Sequence, residues 1–324
     1  MNDIYFVFHG YGGENSLMPL VSFVKSKGHP VLVIDDQKFP YTRAELYGQL
    51  RDIKASYSVV FISSAHIWFD EYNYQNLYGY DPQMISSLEL LEFLEPSVSA
   101  FYPHDMESFI HPIEAQWLNL FDFVFLPYEH NIFYRLKHIC RRVEIVGWIK
   151  KTCETALHID PENPVYTPAF FPSNIISFYS QLGAQGYADW FRRYIGPDIP
   201  IKMPAGDNGV YPLLTAEGFT FLDPSVSVYD AMNQYNLIIG SGHSSIIYEA
   251  ALSGIPAIAL LDGVFPDEVY MKSLARVRGI YLLHPEELHD FLQKTNASHT
   301  LLDVGPNRLQ PFAFDKVYDC LTDF

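Results

Sequence analysis

The apolar positions of this chain fall into short, mostly uninterrupted runs, and amphipathic stretches with helical spacing separate them. Ile4–Phe8, Val31–Asp35, Val59–Ser63, Val98–Tyr102, Phe123–Pro127 and Val143–Gly147 are such runs. A strand that is apolar at successive positions is buried on both faces, as in a parallel sheet sandwiched between helices. Helices are expected from Asn15 or Ser16 to Ser26 and at Thr42–Ala55, Asp81–Leu94 and Glu129–His138. Residues 64–80 are aromatic and irregular and read as a long loop. Residues 148–163 are mostly polar and read as a linker. The alternation then restarts, with strands at Val165–Thr167, Ile199–Pro204, Phe219–Leu222, Asn236–Gly242 and Ile255–Leu260. Helices are expected at Ser173–Tyr194, Val226–Gln234, Ser244–Ser253, Pro285–Gln293 and Phe312–Thr322. The pattern predicts an α/β chain of two Rossmann-like, doubly wound parallel-sheet domains, 1–150 and 151–324, the last helix packing back on the first domain as a variant. Such sheets bind ligands outside the carboxyl ends of their strands, so a cleft between the two domains is the expected site.

Composition agrees and removes several function classes. The 324 residues exceed what one core organises, and 48% hydrophobic with 18% charged residues rules out global disorder. A net charge of −17 argues against nucleic acid as partner and leaves, at most, a weak peripheral membrane association. Arg141, Arg142, Lys150 and Lys151 read as a solvated basic edge. Cys140, Cys153 and Cys320 form no CxxC pair and no metal-ligand spacing, so reduced thiols in a cytoplasmic protein are expected. The apolar run at the N-terminus is too short for a signal segment, and no stretch approaches the ~18 apolar residues of a membrane helix. None of these features speaks to oligomeric state.

The densest chemical signal is NLIIGSGHSSIIYEAALSGIPAIAL, residues 236–260. A hydrophobic strand ends at Ile239. Gly240 and Gly242 permit a tight turn and close approach to a ligand. Ser241 lies between them, and His243, Ser244 and Ser245 stand at a helix start. Free amides and the helix dipole there attract phosphate, and the hydroxyls can add donors. The plain alternative is that Ser244 caps the helix and the glycines only turn. Glu249 is one turn further on, and Gly254 and Pro256 close the helix.

This stretch resembles the donor-site segment of GT-B glycosyltransferases. It is most similar to the CDP-glycerol glycerophosphotransferase-like group, whose pattern is matched here by Ser244–Ser245–Ile246–Ile247–Tyr248–Glu249 and by Gly254–Ile255–Pro256. UDP-GlcNAc 2-epimerases share a related serine–glycine turn and acidic helix. The resemblance implies that Ser244 and Ser245 hold donor phosphate and that Glu249 holds a ribose or neighbouring hydroxyl. VYTPAFF (Val165–Phe171), IKMPAGD (Ile201–Asp207) and FYPHDMES (Phe101–Ser108) stand at further positions of the group's pattern, which adds Lys202 to the donor-binding set. Two departures bear on the reaction: Met203 replaces a usual histidine, and Asp105 replaces the usual glycine after His104.

The resemblance implies a nucleotide-sugar or CDP-alditol donor, a glycan or polymer acceptor, no metal, and no cofactor beyond the donor. His104 follows a buried-type strand and, with Asp105 beside it, suits general-base work; the alternative is a surface-loop histidine. His9 ends the first strand beside Gly10, Gly12 and Gly13, where the loop can contact acceptor or phosphate and His9 is the second candidate for the catalytic base; the alternative is a plain strand-to-helix turn. His111–Pro112 is a dipeptide of low specificity. Asp35, Asp36 and Asp262 read as isolated loop acids, and the aromatics of 64–80 as an acceptor platform or ordinary surface. The first reading is an inverting transferase in polysaccharide biosynthesis. A nucleotide-sugar epimerase and a non-catalytic homologue are the rivals.

Overall fold

The structure is a computed structural model. It describes residues 4–10, 17–35, 43–63, 85, 87–103, 115–129, 136–150, 159–172, 182–203, 209–242, 244–263, 274, 277–305 and 309–323. The chain divides into two compact units, Met1–Lys150 with Leu309–Phe324, and Lys151–Arg308.

In the first unit β1 (Tyr5–Gly10), α1 (Met18–Ser26), β2 (Val31–Asp35), α2 (Arg43–Lys54), β3 (Ser58–Ile62), α3 (Ser87–Leu94), β4 (Val98–Phe101), β5 (Phe123–Leu126) and β6 (Val143–Ile145) follow in order. The six strands are parallel, in the order β2-β1-β3-β4-β5-β6. Four successive buried residues in each of β4 and β5 account for their apolar runs, interrupted in β4 only by Ser99, whose hydroxyl donates to Asp122. Phenylalanines dominate this core: Phe61 and Phe125 stack at 5.9 Å, and Phe123 and Phe125 at 5.7 Å.

The last helix, α9 (Phe314–Thr322), belongs to this unit. Phe314 meets Phe23 of α1 at 5.4 Å, and the Tyr318 hydroxyl lies 2.7 Å from His29 Nε2. The chain reaches α9 by running beside β6: Trp148 N donates to Gln310 O at 2.8 Å and Ala313 N to Val146 O at 2.7 Å. Gly147 makes that approach possible. It has φ +85°, and a Cβ there would lie 2.3 Å from the Pro311 carbonyl oxygen.

The second unit contains β7 (Pro168–Phe171), α4 (Gly183–Tyr194), α5 (Val210–Thr215), α6 (Val228–Met232), β8 (Leu237–Ser241), α7 (Ser245–Leu252), β9 (Ala257–Leu260), β10 (Ile280–Leu283) and α8 (Leu288–Ala297). The strands are parallel in the order β10-β9-β8-β7. Single-residue parallel bridges add Ile201 beside Phe170 and Phe221 beside Ile201. The expected strands Ile199–Pro204 and Phe219–Leu222 are therefore one-residue pairings in the right place.

One expected strand is displaced. Pairing occupies Pro168–Phe171, not Val165–Thr167. Asn236 explains the shift: its side chain accepts from Thr167 N at 2.6 Å and donates to Val165 O at 2.8 Å, which takes those groups out of the ladder. Pro168, lacking a donor, is tolerated at the first strand position.

Candidate functional site

With the two bridged positions included, the second sheet reads 3-2-1-4-5-6 in chain order, where β7 is first and β8 fourth. Chain connections leave β7 and β8 in opposite directions across the sheet. The crevice outside their carboxyl ends is then the topological switch point, where doubly wound sheets bind ligands. The segment singled out above, β8 and α7, stands at that point.

Gly240 pairs with Phe171 across β7 and β8. A Cβ on it would lie 3.1 Å from the Phe171 carbonyl oxygen and 3.0 Å from Ile247 Cδ1. Its bareness seats α7 on the sheet, which corrects the expectation that it turns the chain toward a ligand. Gly242 N donates to Leu260 O at 2.9 Å, extending the β8–β9 pairing, and Ser244 N donates to Ser241 O at 2.9 Å. Those two amides are committed to the turn and do not face a ligand. At the first positions of α7, Ser245 and Ile246 have the amides that helix geometry leaves without an intrahelical acceptor. Ser244 is the N-cap, with φ −86° and ψ 128°, yet its side chain makes no capping bond. The plain capping alternative for its hydroxyl is therefore not what the structure contains.

The other two serine hydroxyls are engaged with acids. Ser241, 3% exposed, donates to the Asp262 carboxylate just past β9. Ser245 Oγ donates to Glu249 Oε1 at 3.1 Å, and Glu249 is buried in α7. A serine has one proton, so each of these hydroxyls is an acceptor toward anything else. Ser241 was expected among the phosphate donors; its burial and its bond to Asp262 remove it from that role. Asp262 was expected to be an isolated loop acid and is instead part of the switch-point cluster. Its signal was readable: an acid directly after an apolar strand falls at a carboxyl end of the sheet. Burial, reinforced by the Asp262 charge, pushes the Tyr187 phenol of α4 well above its usual range.

Lys202 follows the bridged residue Ile201 and is 5% exposed. Its ammonium donates to the carbonyls of Asp223 (2.9 Å) and Pro224 (3.3 Å), tying down the turn before α6. The Asp223 carboxyl is held below its ordinary range by hydrogen bonds from Ser225, with the Lys202 charge adding to them. Met203 packs against the core of this unit.

In the first unit the order 2-1-3-4-5-6 puts the switch point between β1 and β3. His9 is there, 2% exposed, with Nδ1 2.6 Å from Ser87 Oγ at the start of α3. His104, Asp105, His243 and His111 lie outside the described residues, as does the 64–80 segment. Among the described residues no group of three His, Cys, Asp or Glu is arranged to hold a metal ion, and no helix is long and apolar enough to cross a membrane.

No protein-family model and no curated protein matches the chain. Solved structures do match. The chain is similar to Staphylococcus aureus MnaA in its UDP co-structure, 12% identical over 98% of this chain and 95% of that one, with a TM-score of 0.54. It is similar to the UDP-GlcNAc 2-epimerase of Neisseria meningitidis bound to UDP-GlcNAc, 11% identical over 99% and 100%, TM-score 0.52. It is also similar to the glycosyltransferase SnogD of Streptomyces nogalater, 10% identical over 99% and 100%, TM-score 0.51. The chain has the GT-B fold. Two parallel-sheet α/β units, six-stranded and four-stranded, are what the GT-B assignment rests on here. At these identities the likeness establishes the GT-B architecture, and the chemistry has to be read from the switch-point residues themselves.

Proposed function

We propose that the second unit is a nucleotide-donor domain and that the protein is a GT-B transferase. It moves a sugar, or an alditol phosphate, from a nucleotide-activated donor to a hydroxyl of a glycan or cell-surface polymer. The observation that carries this reading is the β8–α7 turn at the switch point of the second sheet, with the uncapped Ser244 hydroxyl and the first amides of α7 as hydrogen-bond donors for phosphate. The nucleotides in the MnaA and Neisseria epimerase structures support it. Glu249 takes a ribose or neighbouring hydroxyl, and His243 adds a donor at the turn. Lys202 acts indirectly, by fixing the turn at Asp223 and Pro224.

In the first unit His104, oriented by Asp105, is the general base that takes the acceptor proton. His9 braces α3 through Ser87. No covalent nucleophile enters this scheme, so one inverting displacement is expected, metal-independent and with no cofactor beyond the donor. The likeness to the Neisseria enzyme favours one rival, a nucleotide-sugar 2-epimerase.

Incubation of the purified protein with UDP-GlcNAc alone separates the two. Interconversion with UDP-ManNAc establishes the epimerase. Nucleotide binding, measured by thermal shift across UDP-, CDP-, GDP- and CMP-linked donors, without turnover until an acceptor is added supports the transferase. Absence of any binding overturns the donor-domain reading.

A further inference from the structure

The carboxyl edge of the first sheet carries two buried hydrogen-bond donors without an acceptor. Ser63 directly follows β3 and is fully buried, and its hydroxyl has no partner. Trp148 lies just past β6 and is 2% exposed, and its indole Nε1–H has no partner either. Three strand spacings separate β3 from β6, about 14 Å. A buried donor left unmade is costly, and it calls for a water, an ion or a ligand group to complete it. The edge on which both donors lie is the one where such sheets bind ligands.

The Trp148 donor is held in place and has a positive charge beside it. The Tyr102 hydroxyl donates to Gly147 O at 2.9 Å and accepts from Ile149 N at 3.1 Å, which pins the backbone on both sides of Trp148. Trp148 N donates to Gln310 O at 2.8 Å. Lys150 Nζ stands over the indole ring, 5.3 Å from its centroid, and among the described residues no carboxylate pairs with it. The basic stretch seen in the sequence thus divides. Arg141 is paired with Asp122 and Arg142 with Glu144, at the start of β6, whereas Lys150 lies past its end with its charge unneutralised. A water or a neutral hydroxyl would satisfy the indole and leave the ammonium as it is. A negative oxygen serves both, and a charge-assisted bond is the stronger one. The half-buried Lys150 stem is flexible, so its ammonium can move from the ring face to an oxyanion held at the ring edge.

We propose that Trp148 and Lys150 form an oxyanion subsite that takes a phosphate or carboxylate group of the acceptor. The proposal rests on the second unit being the donor domain, which leaves the acceptor to the first. It makes the acceptor an anionic molecule, bound by a chain whose net charge of −17 would otherwise repel it. Phosphate and carboxylate present the same chemistry here, and the probes separate them.

The test is the proton–nitrogen NMR spectrum of the full chain, whose four tryptophans give four indole N–H signals. Trp148→Phe keeps a ring, deletes the donor and identifies its signal by the loss. Should that variant not fold, Trp68→Phe, Trp117→Phe and Trp190→Phe identify the signal by elimination. Glycerol phosphate, glucuronate and glucose are then titrated at constant ionic strength, with sodium chloride as the salt control. At least one of the two anions is expected to move the Trp148 signal saturably downfield, and glucose and chloride are expected not to. Lys150→Gln should weaken that anion about tenfold or more and leave the signal of the free protein in place, a split that a structural role would not give. A response to glycerol phosphate alone assigns a phosphate-bearing acceptor, and a response to glucuronate alone a carboxylate-bearing one. A signal that ignores both anions, one that chloride moves equally, or an anion affinity unchanged in Lys150→Gln overturns the proposal. Calorimetry with the UDP-, CDP-, GDP- and CMP-linked donors runs in parallel. Nucleotide binding with a silent indole overturns the subsite alone. An anion response in a chain that binds no nucleotide overturns the acceptor assignment together with the donor-domain reading.

Discussion

At the switch point of the first sheet, β1 ends in His9 and Gly10; at that of the second, β8 ends in Gly240 and Ser241. Both glycines are there because backbone comes close. A Cβ on Gly10 would lie 3.1 Å from the carbonyl carbon and oxygen of Ser63, and one on Gly240 would lie 3.1 Å from the Phe171 carbonyl oxygen. The polar groups differ in kind. The first end carries an imidazole, buried and joined to Ser87. The second carries hydroxyls joined to carboxylates, Ser241 with Asp262 and Ser245 with Glu249. One architecture thus presents an imidazole joined to a serine at one switch point and hydroxyls joined to carboxylates at the other. What a strand end does is set by its last residues, not by the sheet it leaves.

Under the proposed mechanism the largest effect is expected in the first unit, at His104. His104→Ala should lower kcat roughly 10²–10⁴-fold with donor affinity nearly intact, because a general base acts in the transition state. Steady-state rates against calorimetric affinity check it, and a parallel loss of donor affinity would place the residue on the donor side. The next effect is on stability. Gly240→Val should cost about 2–3 kcal/mol by overpacking Ile247 and the Phe171 carbonyl, measured by urea denaturation. An unaltered midpoint would mean that α7 is not seated through Gly240. Replacing Ser244 with alanine should weaken nucleotide binding by about 1–3 kcal/mol while the fold persists, whereas Ser245→Ala, whose hydroxyl proton is given to Glu249, should change it less. Unchanged affinity in the folded Ser244 variant would move the phosphate away from that hydroxyl. The smallest effect is expected at the other switch point. Ser87→Ala should cost about 1 kcal/mol of stability and leave nucleotide affinity as it was. If that affinity fell instead, the contrast between the two strand ends would dissolve.

The doubly wound plan was readable because strands buried on both faces appear as solid apolar runs. Three elements were not readable, for physical reasons. The strand β10 is an edge strand whose residues Ile280–Leu283 are all half-buried, so it lacks the fully apolar surroundings of its neighbours. The helix α5 is six residues long with Pro212 in its first turn, where a proline is permitted but reads as a break. The strand β7 was displaced by a side chain distant in sequence, Asn236, whose effect no local window contains. The candidate site was legible as a strand–turn–helix, and the positions of Ser244, Ser245 and Glu249 followed from it. The partnership of Ser241 with Asp262 was not, since it joins the ends of two neighbouring strands and depends on their register.

The crossing at Gly147 has a consequence for synthesis. The first unit is finished by Leu309–Phe324, which are translated only after all of Lys151–Arg308. At about 5–20 residues per second, that delay is on the order of 10–30 s. Throughout it, the nascent first unit lacks α9, and the Phe6, Phe23 and His29 surface that receives Tyr318 is uncovered. The second unit is whole before the first can close, so on the ribosome completion of the two runs opposite to their order in the chain.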